Sequence, residues 1–231
     1  MSIYDLLRYT LWGAVAVTAE ANRREYHMST TWLPHLLTNT LTLFLPDLYR
    51  DVTDSRWFAD QVSTIQVLDD LQPTLDTMLR DNPAYVAYVM PLALGYILSH
   101  PRFNIYKGSL AEIRVAGLGL DALPHAATAF ALTALVSDTL DAAAEEARFD
   151  GPLATIIEES ERHPVLASFT ILGLVTLWWE LGEYLIHRHE LSLRGDDATK
   201  INMQWSLRDT LNDIIANAIG WATAILFRRS H

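Results

Sequence analysis

The sequence predicts an all-α fold: a polytopic membrane helix bundle of about six spans, with two acidic helical inserts outside the membrane. Three observations predict it. Half of the 231 residues are hydrophobic and only 19% are charged, below the roughly 25% of an ordinary soluble domain. The charges are clustered, so several charge-free runs approach the ~20 residues that a spanning helix needs. Within the apolar segments, carboxylates and a histidine recur at helical spacing, and such groups belong inside a bundle rather than against lipid.

Taken in order, segment one runs from Tyr4 to Ala21 and is interrupted by Arg8. Ala19-Glu20-Ala21 looks like a signal-cleavage site. Asp5, and the lack of a basic residue before Arg8, favour a short first span instead. Segment two, Met28 to Leu48, is charge-free through Pro46 and carries Trp32, His35 and Asn39. Residues 51–81 mix charge with Phe58, Val62, Ile65, Leu68 and Leu71 at helical spacing, which predicts an amphipathic insert broken at Gln72-Pro73. Segment three, Asn82 to His100, is charge-free, and Pro91 predicts a kink. A short basic loop with Arg102 and Lys107 leads to segment four, Leu110 to Val136. Residues 137–163 form the second, acidic insert, read as two short helices with a break at Gly151-Pro152. Segment five, Pro164 to His187, precedes a polar loop from Arg188 to Lys200. Segment six, Arg208 to Phe227, closes a single integral membrane domain spanning residues 1–231 of a multi-pass cell-membrane protein. The loops after segments one, three and five are the more basic, which places them in the cytoplasm; Arg228 and Arg229 argue the other way.

Composition excludes several functions. Cysteine is absent, so disulfides and thiolate chemistry are excluded. The net charge is −11 and lysine occurs only at Lys107 and Lys200. This balance suits a high-salt organism, where screening tolerates self-repulsion. No basic patch supports nucleic-acid binding. Membrane lipid is the expected partner, and a homo-oligomer is left open.

The candidate site comprises three pairs. Asp121 and His125 stand i, i+4; Glu180 and Glu183 stand i, i+3; Asp209 and Asp213 stand i, i+4, with Asn217 next on the same line. Each pair presents two ligand atoms from one helix face. Carboxylates with one imidazole form a ligand set for Mg, Mn or Zn as a divalent metal, and carboxylates packed together cannot all ionise without a cation. The alternative is a satisfied structural network, in which Asp209 caps its helix and Trp178-Trp179 marks the interface. Arg114 and Arg208 are candidate counter-charges. His187 and His189 read as interfacial. Gly117 and Gly119, and the series Ala216, Ala218, Gly220 and Ala222, read as close-packing residues.

The same residues resemble the YjdF-like inner-membrane proteins and, more distantly, the VanZ-like proteins associated with glycopeptide resistance. The matching motifs are Asp121-Ala-Leu-Pro-His125, Trp179-Glu180-Leu-Gly-Glu183-Tyr184, Asp209-Thr210-Leu-Asn-Asp213, and Asp213-Ile-Ile-Ala216-Asn217 with Gly220. The resemblance covers residues 118–231. It departs at Ala122, where a basic residue is usual, and at the lead-in Asn202-Met-Gln-Trp205. It implies a polytopic membrane protein rather than a defined activity. Three functions follow as expectations: a site binding a divalent cation or lipid headgroup in envelope or lipid homeostasis; a metal-dependent enzyme acting on a lipid or lipid-linked substrate; and a proton- or cation-coupled transporter.

Overall fold

The computed structural model describes residues 2–26, 31–55, 66–146, 149–195, 201 and 205–230. Among these the fold is all-α apart from one small hairpin. The helices are α1 (Ile3–Glu25), α2 (Trp32–Thr53), α3 (Gln66–Leu75, continued by a wide π turn over Asp76–Arg80), α4 (Tyr85–Ile97), α5 (Ala122–Glu146), α6 (Gly151–Arg162), α7 (Pro164–Leu193) and α8 (Leu207–Arg229). The hairpin pairs β1 (Arg114–Val115) with β2 (Leu118–Gly119) in antiparallel register, Arg114 opposite Gly119.

Helix starts follow local chemistry. Ser2 and Asp5 form a reciprocal capping box at α1, which satisfies two otherwise unpaired amides. At α8 the cap is Ser206, whose hydroxyl accepts from the Asp209 amide at 3.1 Å. The alternative in which Asp209 caps the helix is therefore corrected: it lies in the first turn of α8, three residues after Ser206.

Among the described residues α1, α2, α4, α5, α7 and α8 run in alternate directions, and side-chain contacts fix the alternation. Arg8 near the start of α1 pairs with Asp47 late in α2 at 3.0 Å, and Trp12 donates to Thr40. His35 near the start of α2 stacks on Tyr96 at the end of α4, 4.9 Å between ring centres. Tyr88, early in α4, donates to Asp138, late in α5, at 2.5 Å. α7 and α8 share an antiparallel polar seam: Thr210 donates to Glu180, Asn217 to Thr176 and Trp221 to Ser168. α5 and α8 lie parallel, with Arg228 at the end of α8 bound to Asp138 and Asp141. A buried apolar core joins α1, α2 and α4 through Val15, Leu43, Ala93 and their neighbours. α4 then packs on α5, and α5 packs most extensively on α8.

Several segment boundaries differ from the sequence expectation. Segment four is helical only from Ala122. Before it lie a 3₁₀ turn over Gly108–Glu112 and the hairpin. Ala116 and Gly117, with φ of 53° and 88°, make the left-handed turn between the strands, a conformation that Gly adopts without steric penalty. Pro73 does not break its helix. α3 continues past it into the π turn, held against α2 by Tyr49 donating to Asp76 and by Arg80 on Asp54. The first half of the acidic insert is no separate helix but the end of α5. Gly151-Pro152 starts α6, where Pro suits the first helical turn. α7 extends to Leu193, through what reads as a loop.

Two helices, α7 and α8, are long and apolar enough to cross a membrane. Their large apolar side chains face outward: Leu174, Leu177 and Trp178 are 63%, 63% and 78% exposed. α4 is apolar but has 13 residues. At 1.5 Å per residue it covers about 20 Å, short of the ~30 Å hydrocarbon layer, which corrects the length expected of segment three. Phe58, Val62 and Ile65 of the amphipathic stretch, Met28 of segment two, and Asn202, Met203 and Gln204 of the lead-in lie outside the described residues.

Candidate metal centre

Close helix packing creates the site. Gly220 sits against α5 so tightly that a Cβ there would collide with the Ala126 carbonyl and meet Ala129. The buried line is Ala216, Gly220 and Ala224, spaced by four as the helical repeat requires. Ala218 faces outward, which corrects the alternate-residue series. With α5 and α8 parallel and this close, Asp121 and His125 at the start of one helix meet Asp209 and Asp213 at the start of the other. The antiparallel seam brings Glu180 and Glu183 to the same end.

Glu180, Glu183 and Asp213 each offer a ligand oxygen, and the three lie within 4.8 Å of one another. Glu180 is 7% exposed and Asp213 4%. His125 Nε2 stands 3.4 Å from Asp213 Oδ1. Glu180 accepts from the Thr210 hydroxyl at 2.6 Å, and Glu183 accepts from the Trp179 indole at 2.8 Å. Asp213 differs: its Oδ1 is buried and accepts no hydrogen bond. A buried carboxylate oxygen without a donor is costly, so this atom is the clearest sign of an external partner.

Asp121 and Asp209 do not join the three-oxygen group, although both carboxylates lie within electrostatic reach of Asp213. Both are half-buried. Asp121 accepts from the Ala122 amide at 3.0 Å. Arg114 is exposed on the hairpin, and its guanidinium reaches the space beside Asp121 that the missing side chain of Gly119 leaves open. Its charge is felt at Asp209. Arg208 is exposed at the start of α8.

Of the Trp pair, Trp178 faces outward and Trp179 turns inward to Glu183, so only the first fits an interfacial marker. His187 accepts from the Trp205 amide at 3.4 Å. Gly117 serves the turn, and Gly119 makes room for Arg114 and Asp121. His35 packs between Tyr96 and Trp179.

Comparison with protein-family models, with curated proteins and with solved structures finds no match. The site therefore has to be read from its own chemistry.

Sequence reasoning missed Tyr106. The loop between α4 and α5 turns its hydroxyl inward, where it donates to the Gly95 carbonyl at 3.0 Å, while the ring stays 38% exposed. Burial first, and then the carboxylates of Asp121, Glu183 and Asp213, push this phenol above its ordinary range. It therefore stays protonated and a donor. The loop is anchored by Lys107, which donates to the Ile201 carbonyl at 3.0 Å and lies over the Tyr26 ring. An isolated aromatic in a loop carries no periodicity, so only a neighbouring basic anchor hinted at it.

Proposed function

We infer that the protein binds one divalent metal ion between Glu180, Glu183 and Asp213, with His125 beside it, inside a six-span membrane bundle. The observation that carries this reading is the buried Asp213 Oδ1, which accepts no hydrogen bond, faces two further carboxylates and has His125 Nε2 at 3.4 Å. Two ligands about 2.1 Å from a single ion stand roughly 3.4 Å apart in a tetrahedral site, close to the separation of His125 Nε2 and Asp213 Oδ1. Oxygen ligands with one imidazole suit Mg, Mn or Zn, Mn and Zn accepting the nitrogen more readily. Placement with the YjdF-like membrane proteins, and a role in envelope or lipid homeostasis, belong to this proposal.

The six-span reading is supported by the alternating helix directions and by the lipid-compatible outer faces of α7 and α8. The site then lies near one membrane surface, at the starts of α5 and α8. By the positive-inside rule that surface is cytoplasmic.

The test is elemental analysis of purified protein, exchanged first against chelator and then against each metal. One ion per chain is expected for the wild type, with at least a tenfold loss of affinity for Asp213→Asn and Glu183→Gln. A wild-type chain that retains no stoichiometric ion under any of the three metals overturns the reading.

A further inference from the structure

Exposure grades inward along the site. Arg114 is exposed at the hairpin, Asp121 and Asp209 are half-buried, and Glu180 and Asp213 are buried. These five groups, with Glu183 half-buried beside the deepest pair, form a funnel from the exposed hairpin inward. Its outer ring is the pair of carboxylates that does not reach the three-oxygen group. Arg114 faces this ring from a rigid two-residue hairpin. Among the described residues it forms no hydrogen bond and no ion pair within 4 Å. Asp121 and Asp209 are likewise without a salt bridge, and Asp121's one hydrogen bond is to its own helix start.

We propose that Asp121 and Asp209 are the entrance of the metal site rather than its ligands, and that Arg114 is a tethered cation competing with the incoming ion there. This rests on the metal reading above.

The physical argument is electrostatic. Carboxylates lining a cleft with low-dielectric walls raise the local concentration of cations and speed their arrival. A fixed guanidinium beside them partly cancels that field. It also offsets part of the pair's charge while the site is empty, which limits repulsion among the clustered carboxylates. Arg114 does this without a close ion pair, so a divalent ion can displace its influence without first breaking a bidentate contact. Gly119 leaves room for this arrangement: a side chain there would displace the Arg114 guanidinium and the Asp121 carboxylate from where they stand. The entrance selects for charge, because a divalent ion competes with one tethered positive charge better than a monovalent ion does.

The experiment follows Mn²⁺ binding to the full chain in lipid nanodiscs, by loss of the free-ion paramagnetic signal at equilibrium and after rapid mixing. Arg114→Gln is expected to tighten binding and speed loading by about threefold to tenfold at low ionic strength, the size of a screened charge–charge effect. High salt should erase most of the difference. Asp121→Asn and Asp209→Asn should slow loading several-fold and leave one ion per chain. Arg162→Gln alters net charge equally at the opposite end, where Arg162 pairs with Glu159, and should change nothing. The proposal is overturned if Arg114→Gln leaves rate and affinity unchanged or weaker, if Arg162→Gln has the same effect, or if Asp121→Asn or Asp209→Asn abolishes stoichiometric binding. Absence of Mn²⁺ and of other metals from the wild type instead defeats the metal reading itself.

Discussion

Asp213 holds a carboxylate oxygen out of water that accepts no hydrogen bond, with only His125 Nε2 at 3.4 Å, while Thr210 and Trp179 supply donors to Glu180 and Glu183. An unsatisfied buried polar atom costs about 1–3 kcal/mol, and more when charged. Replacing the carboxylate by an amide, which needs no proton to stay neutral, should therefore relieve the empty site. Asp213→Asn is expected to raise the melting temperature of the metal-free protein by roughly 2–12 °C, at about 2–4 °C per kcal/mol for a chain of this size. The same variant should lose the stabilisation that metal gives the wild type, about 2.7 kcal/mol at a hundredfold excess over the dissociation constant. Differential scanning fluorimetry with and without metal separates the two effects; a lower melting temperature in the metal-free variant would show that Asp213 is a structural group instead. At this scale the sequence was informative where spacing spoke. The i, i+4 and i, i+3 pairs located Asp213, His125, Glu180 and Glu183 because helical periodicity puts such pairs on one face. Spacing could not say which carboxylate lacks a donor, because that depends on Thr210 and Trp179 across or along another helix.

The contact of α5 with α8 is the element on which the site depends, and Gly220 is its narrowest point. A larger side chain must push the helices apart, since the obstacle is the Ala126 backbone rather than a flexible side chain. Overpacking of this kind costs typically about 1–3 kcal/mol. Gly220→Val is expected to destabilise by at least that amount and to weaken metal binding by separating His125 from Asp213. Gly173→Ala in α7, where a Cβ meets nothing within 4 Å, should be neutral or slightly stabilising because Ala is the better helix former. Thermal unfolding with parallel metal titration checks the pair, and equal effects of both substitutions would dissociate the close approach from the site. Helix existence was legible from apolar runs, but helix limits were not. The run from Leu110 to Val136 concealed a hairpin because Ala116, Gly117 and Gly119 are apolar or neutral and do not interrupt hydropathy. Pro73 suggested a break that packing of the following turn against α2 overrides. Ser137 to Glu146 looked like a separate insert because its composition turns acidic, yet composition does not end a helix whose backbone bonds continue.

Across the whole molecule, the alternating directions of α1, α2, α4, α5, α7 and α8 define two ends. One holds the site, the hairpin and the Lys107–Ile201 contact; the other holds Arg228 with Asp138 and Asp141. Among the described residues only α7 and α8 meet the length and hydropathy of a spanning helix by themselves, so a two-span and a six-span arrangement make different predictions. The two differ on the loop at Ser109. With six spans, Ser109 lies on the same side as Gly195, between α7 and α8, and opposite Ser160 in α6 and the N-terminal Ser2. With two spans, Ser109 lies with Ser2 and Ser160, opposite Gly195. The chain contains no cysteine, so single substitutions Ser2→Cys, Ser109→Cys, Ser160→Cys and Gly195→Cys each introduce a unique thiol. Labelling sealed vesicles with a membrane-impermeant maleimide, before and after lysis, reads their sides directly. The expected pattern pairs Ser109 with Gly195 and Ser2 with Ser160. Protection of Gly195 alone would reduce the membrane domain to α7 and α8 and move the carboxylate site to the rim of a mostly peripheral bundle. The six-span pattern instead requires the 13-residue α4 to cross with help from its neighbours. The loop that returns Tyr106 to Gly95 supplies that help, by packing a satisfied hydroxyl against the last turn of α4.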